Sequence, residues 1–426
     1  MMRLPYMLLA MPLMLLLAVT SVQADDWDSL FDDDLFDSEV SVTDEAADVD
    51  HALMLLTQES IDIGGRVQFD LNYSAPLEDT VFEPEFRAAL NGQVYLDARP
   101  TVDARFLARG NFSLDAADDA ELSLKLAELF ADWNYDNSVY FRVGKQNVSW
   151  GVGYFFSPAD VISVGRLDPE DPEATREGPV ALRIHVPQRR QDYHLFALFD
   201  GADSLDQVAL APRATFVVGR SEIGVGGFYR VDRVPRGMLT LSTSIASIDL
   251  FCEAVVSRGS DRTFVETDDQ GNLAAVSRED WIVQATAGLQ FSRPDPDGLF
   301  SVGMAAQYYY NGEGYSDRSV LYDPRLPLLL LNEEIKVSDL LPYTSLHYGA
   351  AAVNWSEMLN TKFSTSAFWL GNLSDGSGQI TTSLSHRGWA GWKPSVGVSW
   401  FYGDDTTELG PGVTTATASL SYSLSF

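Results

Sequence analysis

The amino-acid sequence predicts an all-β fold, a transmembrane antiparallel up-and-down β-barrel of about 16–18 strands (range about 14–18), with short turns at one rim and long loops at the other. Three observations predict it. Apolar and polar residues alternate with a period of two from Ile61 to the end of the chain. The connections between these segments alternate in length. The last segment, Thr414–Phe426, alternates without a break.

Residues 1–24 read as a cleaved signal peptide. Arg3 supplies a thin positive start, Met7–Val19 is almost wholly apolar, and Val22-Gln23-Ala24 ends in small-residue cleavage chemistry, with Asp25 and Asp26 following at once. No later apolar run approaches the roughly 20 residues that a membrane helix needs. Residues 25–60 read as an acidic, flexible leader on the periplasmic side, with 12 acidic residues and no Lys or Arg between Asp25 and Asp50. Trp27, Leu30, Phe31, Leu35 and Phe36 would share one face of a short helix, so docking to a partner or plugging a pore stays open as the alternative.

The barrel is expected over residues 61–426. Val67, Phe69 and Leu71 alternate with Arg66, Gln68, Asp70 and Asn72; Val94 and Leu96 with Gln93, Asp97 and Arg99; Ala104, Phe106 and Ala108 with Asp103, Arg105, Arg109 and Asn111. A helix would space its apolar residues three and four apart, so these segments are strands with one apolar face. Short links are expected near Pro100, at Asp136-Asn137, Gln188–Arg190, Arg220-Ser221 and Pro294–Gly298. Long ones are expected at roughly 73–88, 147–178, 200–211, 259–279, 311–342 and 403–412. Strand boundaries are ambiguous over Leu239–Val256 and Thr381–Trp392. The run Leu328–Leu331 reads either as a short helix folded inward or as a patch at the outer rim.

Composition agrees and excludes alternatives. Cys252 is the only cysteine, so no internal disulfide holds the fold, and closure of the hydrogen-bond ladder must do so. Cys252 has the lipid-facing parity. The net charge of −32 argues against a nucleic-acid partner. Yet 16 of the 29 basic residues lie between Arg99 and Arg236.

In the terminal segment, Ala416, Ala418, Leu420, Tyr422, Leu424 and Phe426 form one face, and Thr415 through Ser425 the other. This segment resembles the recognition strand read by the outer-membrane barrel assembly machinery, with Leu420, Tyr422, Leu424 and Phe426 as its signal residues. A second stretch, Gly144-Lys145-Gln146, Trp150-Gly151, Pro158 and Asp160, resembles the G-K/R-Q-x3-W-G…P-x-D stretch of porin-like bacterial outer-membrane β-barrels. Ser157 stands where relatives often carry Asn. The resemblance implies location in the bacterial outer membrane, lipid as a partner, and a long loop at 147–178 that folds toward the barrel mouth. The residues alone leave Trp150 either on that loop or as an anchor at the lipid interface.

Strand parity makes Arg66, Asp97, Arg99, Asp103, Arg105, Arg109, Arg142, Gln146, Arg183, Arg213 and Arg230 candidates for the lumen wall. Mixed charges could pair and brace the wall, or unpaired arginines could select anions. The five histidines fall in no catalytic or metal motif, and His386 beside Ser385 and Ser383 is the nearest approach to one. No enzyme, cofactor or metal is expected. The Asp200, Asp203 and Asp206 loop lacks calcium-loop spacing. The expected function is passive diffusion of small polar solutes, with anions as a candidate class. A loop-borne binding, adhesion or structural role, or transport of hydrophobic substrates, are the alternatives. A homo-oligomer is compatible with the sequence but not written in it.

Overall fold

The computed structural model describes residues 61–77, 84–115, 121–163, 167–172, 177–268, 270–294, 300–340, 343–388 and 391–426. The expected signal peptide (1–24) and acidic leader (25–60) lie outside the described residues. The chain runs through β1 (Ile61–Pro76), β2 (Glu85–Thr101), β3 (Ala104–Asp115), β4 (Glu121–Tyr135), β5 (Val139–Lys145), β6 (Val180–Gln188), β7 (Gln191–Leu198), β8 (Ala209–Val218), β9 (Ser221–Phe228), β10 (Arg236–Ile245) and β11 (Ile248–Arg258). The hairpin β12 (Thr263–Thr267) and β13 (Leu273–Ser277) stands apart from the wall. The wall continues through β14 (Trp281–Pro294), β15 (Ser301–Asn311), β16 (His347–Ser356), β17 (Phe363–Asn372), β18 (Ser377–His386), β19 (Trp392–Tyr402) and β20 (Thr415–Ser425).

These form a closed 18-stranded sheet in which each strand pairs antiparallel with its neighbours. The seam is β1 against β20, in register from Arg66↔Ser425 to Pro76↔Thr415. Beyond it, Gly65 and Phe426 exchange backbone hydrogen bonds of 2.9 and 3.0 Å. Glycine is required there, because a Cβ on Gly65 would lie 2.6 Å from the Gln93 carbonyl and 2.8 Å from the Phe426 ring. Closure leaves no row of unpaired backbone groups along an edge.

The two-residue period appears directly as two faces. On β4, Leu122, Leu124, Leu126, Leu129 and Trp133 are exposed on the outside. On β15, Met304 and Tyr308 are exposed outside, while Ala305, Gln307 and Asn311 are buried inside. Aromatic pairs mark both rims of the outer face. Trp133 stacks on Phe141 near the short turns, and the Trp369 indole donates a 2.8 Å hydrogen bond to the Tyr402 hydroxyl near the long loops.

The short turns fall at one rim, together with Ile61 and Phe426. Asp136 and Asn137 both take positive φ (53° and 48°), as a tight hairpin turn demands. The ambiguity over Leu239–Val256 resolves into two strands joined at Ala246, which adopts a φ of 57° with no Gly, Asn or Pro to announce it. β18 ends at His386 within the second ambiguous stretch. The expected loop at 73–88 is shorter than its reading, because β1 reaches Pro76 and β2 begins at Glu85. At the long-loop rim, Leu328–Leu331 lies in a short helix, α1 (Leu326–Leu331). It packs with Ile335 and Leu340 against Val265, Leu273 and Ala275 of the β12–β13 hairpin.

Candidate functional site: the lumen and its inward loop

Of the connection between β5 and β6, residues 146–163 fold into the barrel and are pinned by two wall side chains. The Glu253 carboxylate, on the inner face of β11, accepts hydrogen bonds from the backbone N–H groups of Val152 (2.5 Å), Gly153 (2.5 Å) and Ala159 (2.9 Å), and from the Ser157 hydroxyl (3.1 Å). On β15, the Gln307 carbonyl oxygen accepts from the N–H groups of Tyr154 (3.1 Å), Phe155 (2.6 Å) and Phe156 (3.3 Å). The Gln307 amide nitrogen in turn donates to the Phe156 carbonyl at 2.5 Å. A turn this tight around a carboxylate excludes side chains. A Cβ on Gly151 would meet Ser157 Oγ at 1.5 Å and Glu253 Oε1 at 2.6 Å.

The resemblance motif is the scaffold of this loop. Gly144, at φ +127°, lets β4 approach, since a Cβ would stand 2.1 Å from the Leu129 carbonyl. Lys145 Nζ reaches Glu177 at 2.5 Å across the loop's base. Gln146 is fully buried and donates to the Ala181 carbonyl at 3.1 Å. Asp160 accepts from the Trp150 N–H at 3.3 Å and from Ser163 Oγ at 2.8 Å. Trp150 is 3% exposed and packs edge-on against Phe196 at 5.4 Å, with Ile162, Ala209, Ala211 and Met238 in the same cluster. Its partners lie on the inner face, so its place is on the inward loop and not at the lipid interface.

Apolar packing extends the anchor. Phe155 and Phe156 insert among Ala305, Tyr348, Ala350, Ala352, Phe368 and Leu370 of β15–β17. A third layer comes from the β19–β20 loop, whose Glu408 carboxylate accepts from Tyr348 Oη (2.5 Å), Asn372 Nδ2 (2.6 Å) and the Thr344 N–H (2.8 Å). Inward loop and wall therefore make one solid half-lumen on the side of β6–β11 and β14–β17.

The opposite side stays polar and open. A cavity of about 490 Å³ lies against β1–β4, lined by Arg66, Gln68, Asn91, Gln93, Asn111, Ser113, Ser123 and Lys125. Among the described residues neither Arg66 nor Lys125 has a carboxylate within ion-pair distance. Asp70, the nearby acid, is held by Gln68 Nε2 (3.0 Å) and Asn91 Nδ2 (3.2 Å).

The other sequence candidates divide into three groups. Asp97 bridges Arg99 (3.0 Å) and Arg105 (2.9 Å), Arg109 pairs with Glu128 (2.9 Å), and Arg142 pairs with Asp132 (2.6 Å). Arg105, Arg109 and Arg142 brace neighbouring strands, while Arg99 pairs with Asp97 within β2. Asp103 sits in the β2–β3 turn and accepts from Asn134 Nδ2 at 3.0 Å. Arg230 leaves the wall and ties down the 199–208 loop through the carbonyls of Asp200 (2.9 Å) and Gly201 (2.5 Å), and it pairs with Asp232 (2.6 Å) within its own β9–β10 connection. Arg183 and Arg213 have no carboxylate partner among the described residues. Arg183 lies over the Phe196 ring at 5.7 Å, and Arg213 donates to the Trp150 carbonyl. His386 does not meet Ser383 and Ser385, because one-residue and three-residue offsets put them on opposite faces of β18. Ser383 instead bonds Ser366 at 2.6 Å inside the barrel.

Sequence reading missed Gln307, Glu408 and the role of Glu253. Inward parity was the available signal for Gln307 and Glu253, but parity cannot say that a loop will cover a residue. Cys252 pairs in register with Leu241 and Ala287 on the outer face, as its parity implies.

No family model matches the chain, and no curated protein matches it. Among solved structures, the chain is similar to mutant forms of the Rhodopseudomonas blastica porin (for one, 12% identity, covering 85% of this chain and 100% of that one, TM-score 0.43). It is likewise similar to OccAB1 of Acinetobacter baumannii (11% identity, 86% and 97% covered, TM-score 0.48).

Proposed function

We propose that this chain is a channel of the bacterial outer membrane for passive diffusion of small polar solutes, with a preference for anions. The observation that carries the reading is the divided lumen: the inward loop packs on one side, and on the other lies a polar cavity bearing Arg66 and Lys125, which have no carboxylate partner among the described residues. An always-charged guanidinium and a mobile ammonium in a confined passage raise the local concentration of anions. The apolar outer band with aromatic rims fits lipid, and the terminal strand at the seam fits delivery by the barrel assembly machinery. Short turns are then periplasmic and long loops extracellular. Continuous strand pairing around the wall favours an axial path over lateral release of hydrophobic substrates.

Purified protein in planar bilayers under a KCl gradient tests this. The expected reversal potential has the sign of anion preference, and R66Q combined with K125Q moves it toward zero. Cation preference in the unmodified protein overturns the anion assignment, and absence of conductance from correctly folded barrel overturns the channel.

A further inference from the structure

We propose that His185, Asp192 and His194 form a binding site for a divalent first-row transition metal on the inner wall, near the short-turn rim. His185 on β6 and His194 on β7 are direct register partners across a hairpin whose turn is Arg189-Arg190. Both side chains point inward, and their rings stack at 4.3 Å with planes 10° apart. Asp192 lies two residues before His194 and shares its face. His185 Nε2 approaches Asp192 Oδ1 at 2.5 Å, and His194 Nε2 approaches Asp192 Oδ2 at 3.4 Å. One donor atom from each residue lies within 4.8 Å of the other two.

Two imidazoles and a carboxylate this close are ligands that Zn²⁺, Co²⁺, Ni²⁺ and Cu²⁺ share, with metal–nitrogen distances of about 2.0–2.1 Å for zinc, and the near-parallel rings tilt toward each other to bring both nitrogens onto one ion. All three ligands sit on one hairpin, so little chain entropy is lost on binding. The side chains keep partial solvent contact (22%, 36% and 14% of their surface), which gives a metal an entry path and leaves a fourth position for water or an anion. The packing also limits affinity. His194 Nδ1 has no hydrogen-bond partner among the described residues, and the hydrogen bond that usually orients a metal-bound imidazole is worth about 10–100-fold in affinity. Arg183 lies two residues before His185, and Arg213 is the register partner of His194, so a dication enters a cationic neighbourhood with Asp192 as its counter-charge. The site is therefore micromolar rather than nanomolar, and selects a metal that favours nitrogen over Mg²⁺ or Ca²⁺.

Calorimetric titration of tag-free, folded protein in detergent with ZnCl₂ tests the site, alongside the visible spectrum with CoCl₂. The expected result is one saturable Zn²⁺ per chain and Co²⁺ bands of a four- or five-coordinate nitrogen–oxygen site. H194Q and D192N should each weaken binding at least tenfold, while H347Q leaves it unchanged. The Co²⁺ spectrum needs no variant, so the test stands even if a substitution impairs folding. Lack of saturable Zn²⁺ binding together with only the octahedral aqueous Co²⁺ spectrum overturns the proposal, as does binding abolished by H347Q and not by H194Q.

Discussion

Truncating Glu253 to Ala should release the inward loop while leaving the wall intact. In the native protein its carboxylate, 2% exposed, is the acceptor for three backbone N–H groups and one hydroxyl. Hydrogen bonds to a charged group contribute about 1.5–3 kcal/mol each, and burying the charge costs several kcal/mol in return. Removing the acceptor strands the donors of Val152, Gly153 and Ala159, and at about 1–3 kcal/mol for each buried donor left unsatisfied, with water reaching the part-exposed ones, the loss is about 3–5 kcal/mol. At about 1.4 kcal/mol per decade, docking weakens by roughly two to three orders of magnitude. Glu253→Gln keeps the shape and one acceptor oxygen and should lose less, about 1–2 kcal/mol. Single-channel recording reads the outcome as larger mean conductance and added open-state noise, in the order Ala, Gln, native. Hydrogen exchange reads it as loss of protection over 150–160 with the β-strand amides unchanged. Native conductance and native protection in the Ala variant would refute the assignment of Glu253 as the anchor.

Other expectations follow from the same geometry. Gly151→Val places carbon atoms where Ser157 Oγ and Glu253 already lie, so it should undock the loop much as Glu253→Ala does, read by liposome swelling with sugars of graded size. Deleting Phe426 removes two seam hydrogen bonds and an exposed aromatic ring at the rim, and should slow barrel closure in refolding followed by heat-modifiable gel mobility. The Asp323 carboxyl, in the loop preceding α1, is held down to about 2 from its ordinary 3.8 by hydrogen bonds from the Arg325 side chain and backbone. A depressed acid contributes stability above its ordinary value and loses it as pH falls through the folded one. Because Arg325 also donates to the Gly271 carbonyl of the β12–β13 turn at 2.8 Å, spin labels on α1 and on that turn should keep their separation down to pH 4 and move apart between pH 4 and pH 2. In Asp323→Asn the separation should already be increased at neutral pH.

The wall was legible because its rule is local. Which face Arg66 or Phe69 takes depends only on neighbours two residues away, and an apolar exterior around a closed wall makes that rule persist through every strand. Boundaries failed where the turn had no chemical marker, as at Ala246, whose left-handed backbone is imposed by its flanking strands. The site was legible only in part. Inward parity identified Arg105 and Arg142, yet whether an inward arginine is braced depends on register, which set Asp97 and Asp132 beside these two and, among the described residues, no acid beside Arg66. The trio on the β6–β7 hairpin was hidden for a related reason. His185 and His194 are nine positions apart along the chain, with no motif spacing, and only the hairpin register places them face to face.

The anchors of the inward loop also impose an order on assembly. Val152 finds its acceptor 101 residues later in the chain, and Phe155 finds its own 152 residues later. Contacts of such sequence separation form late, because the intervening chain must be arranged first. A nascent barrel that has laid down β5 and β6 therefore carries an unsecured loop until β11 and β15 take their places. The β1–β20 seam joins residues farther apart still, so the inward loop is secured before the wall closes around it.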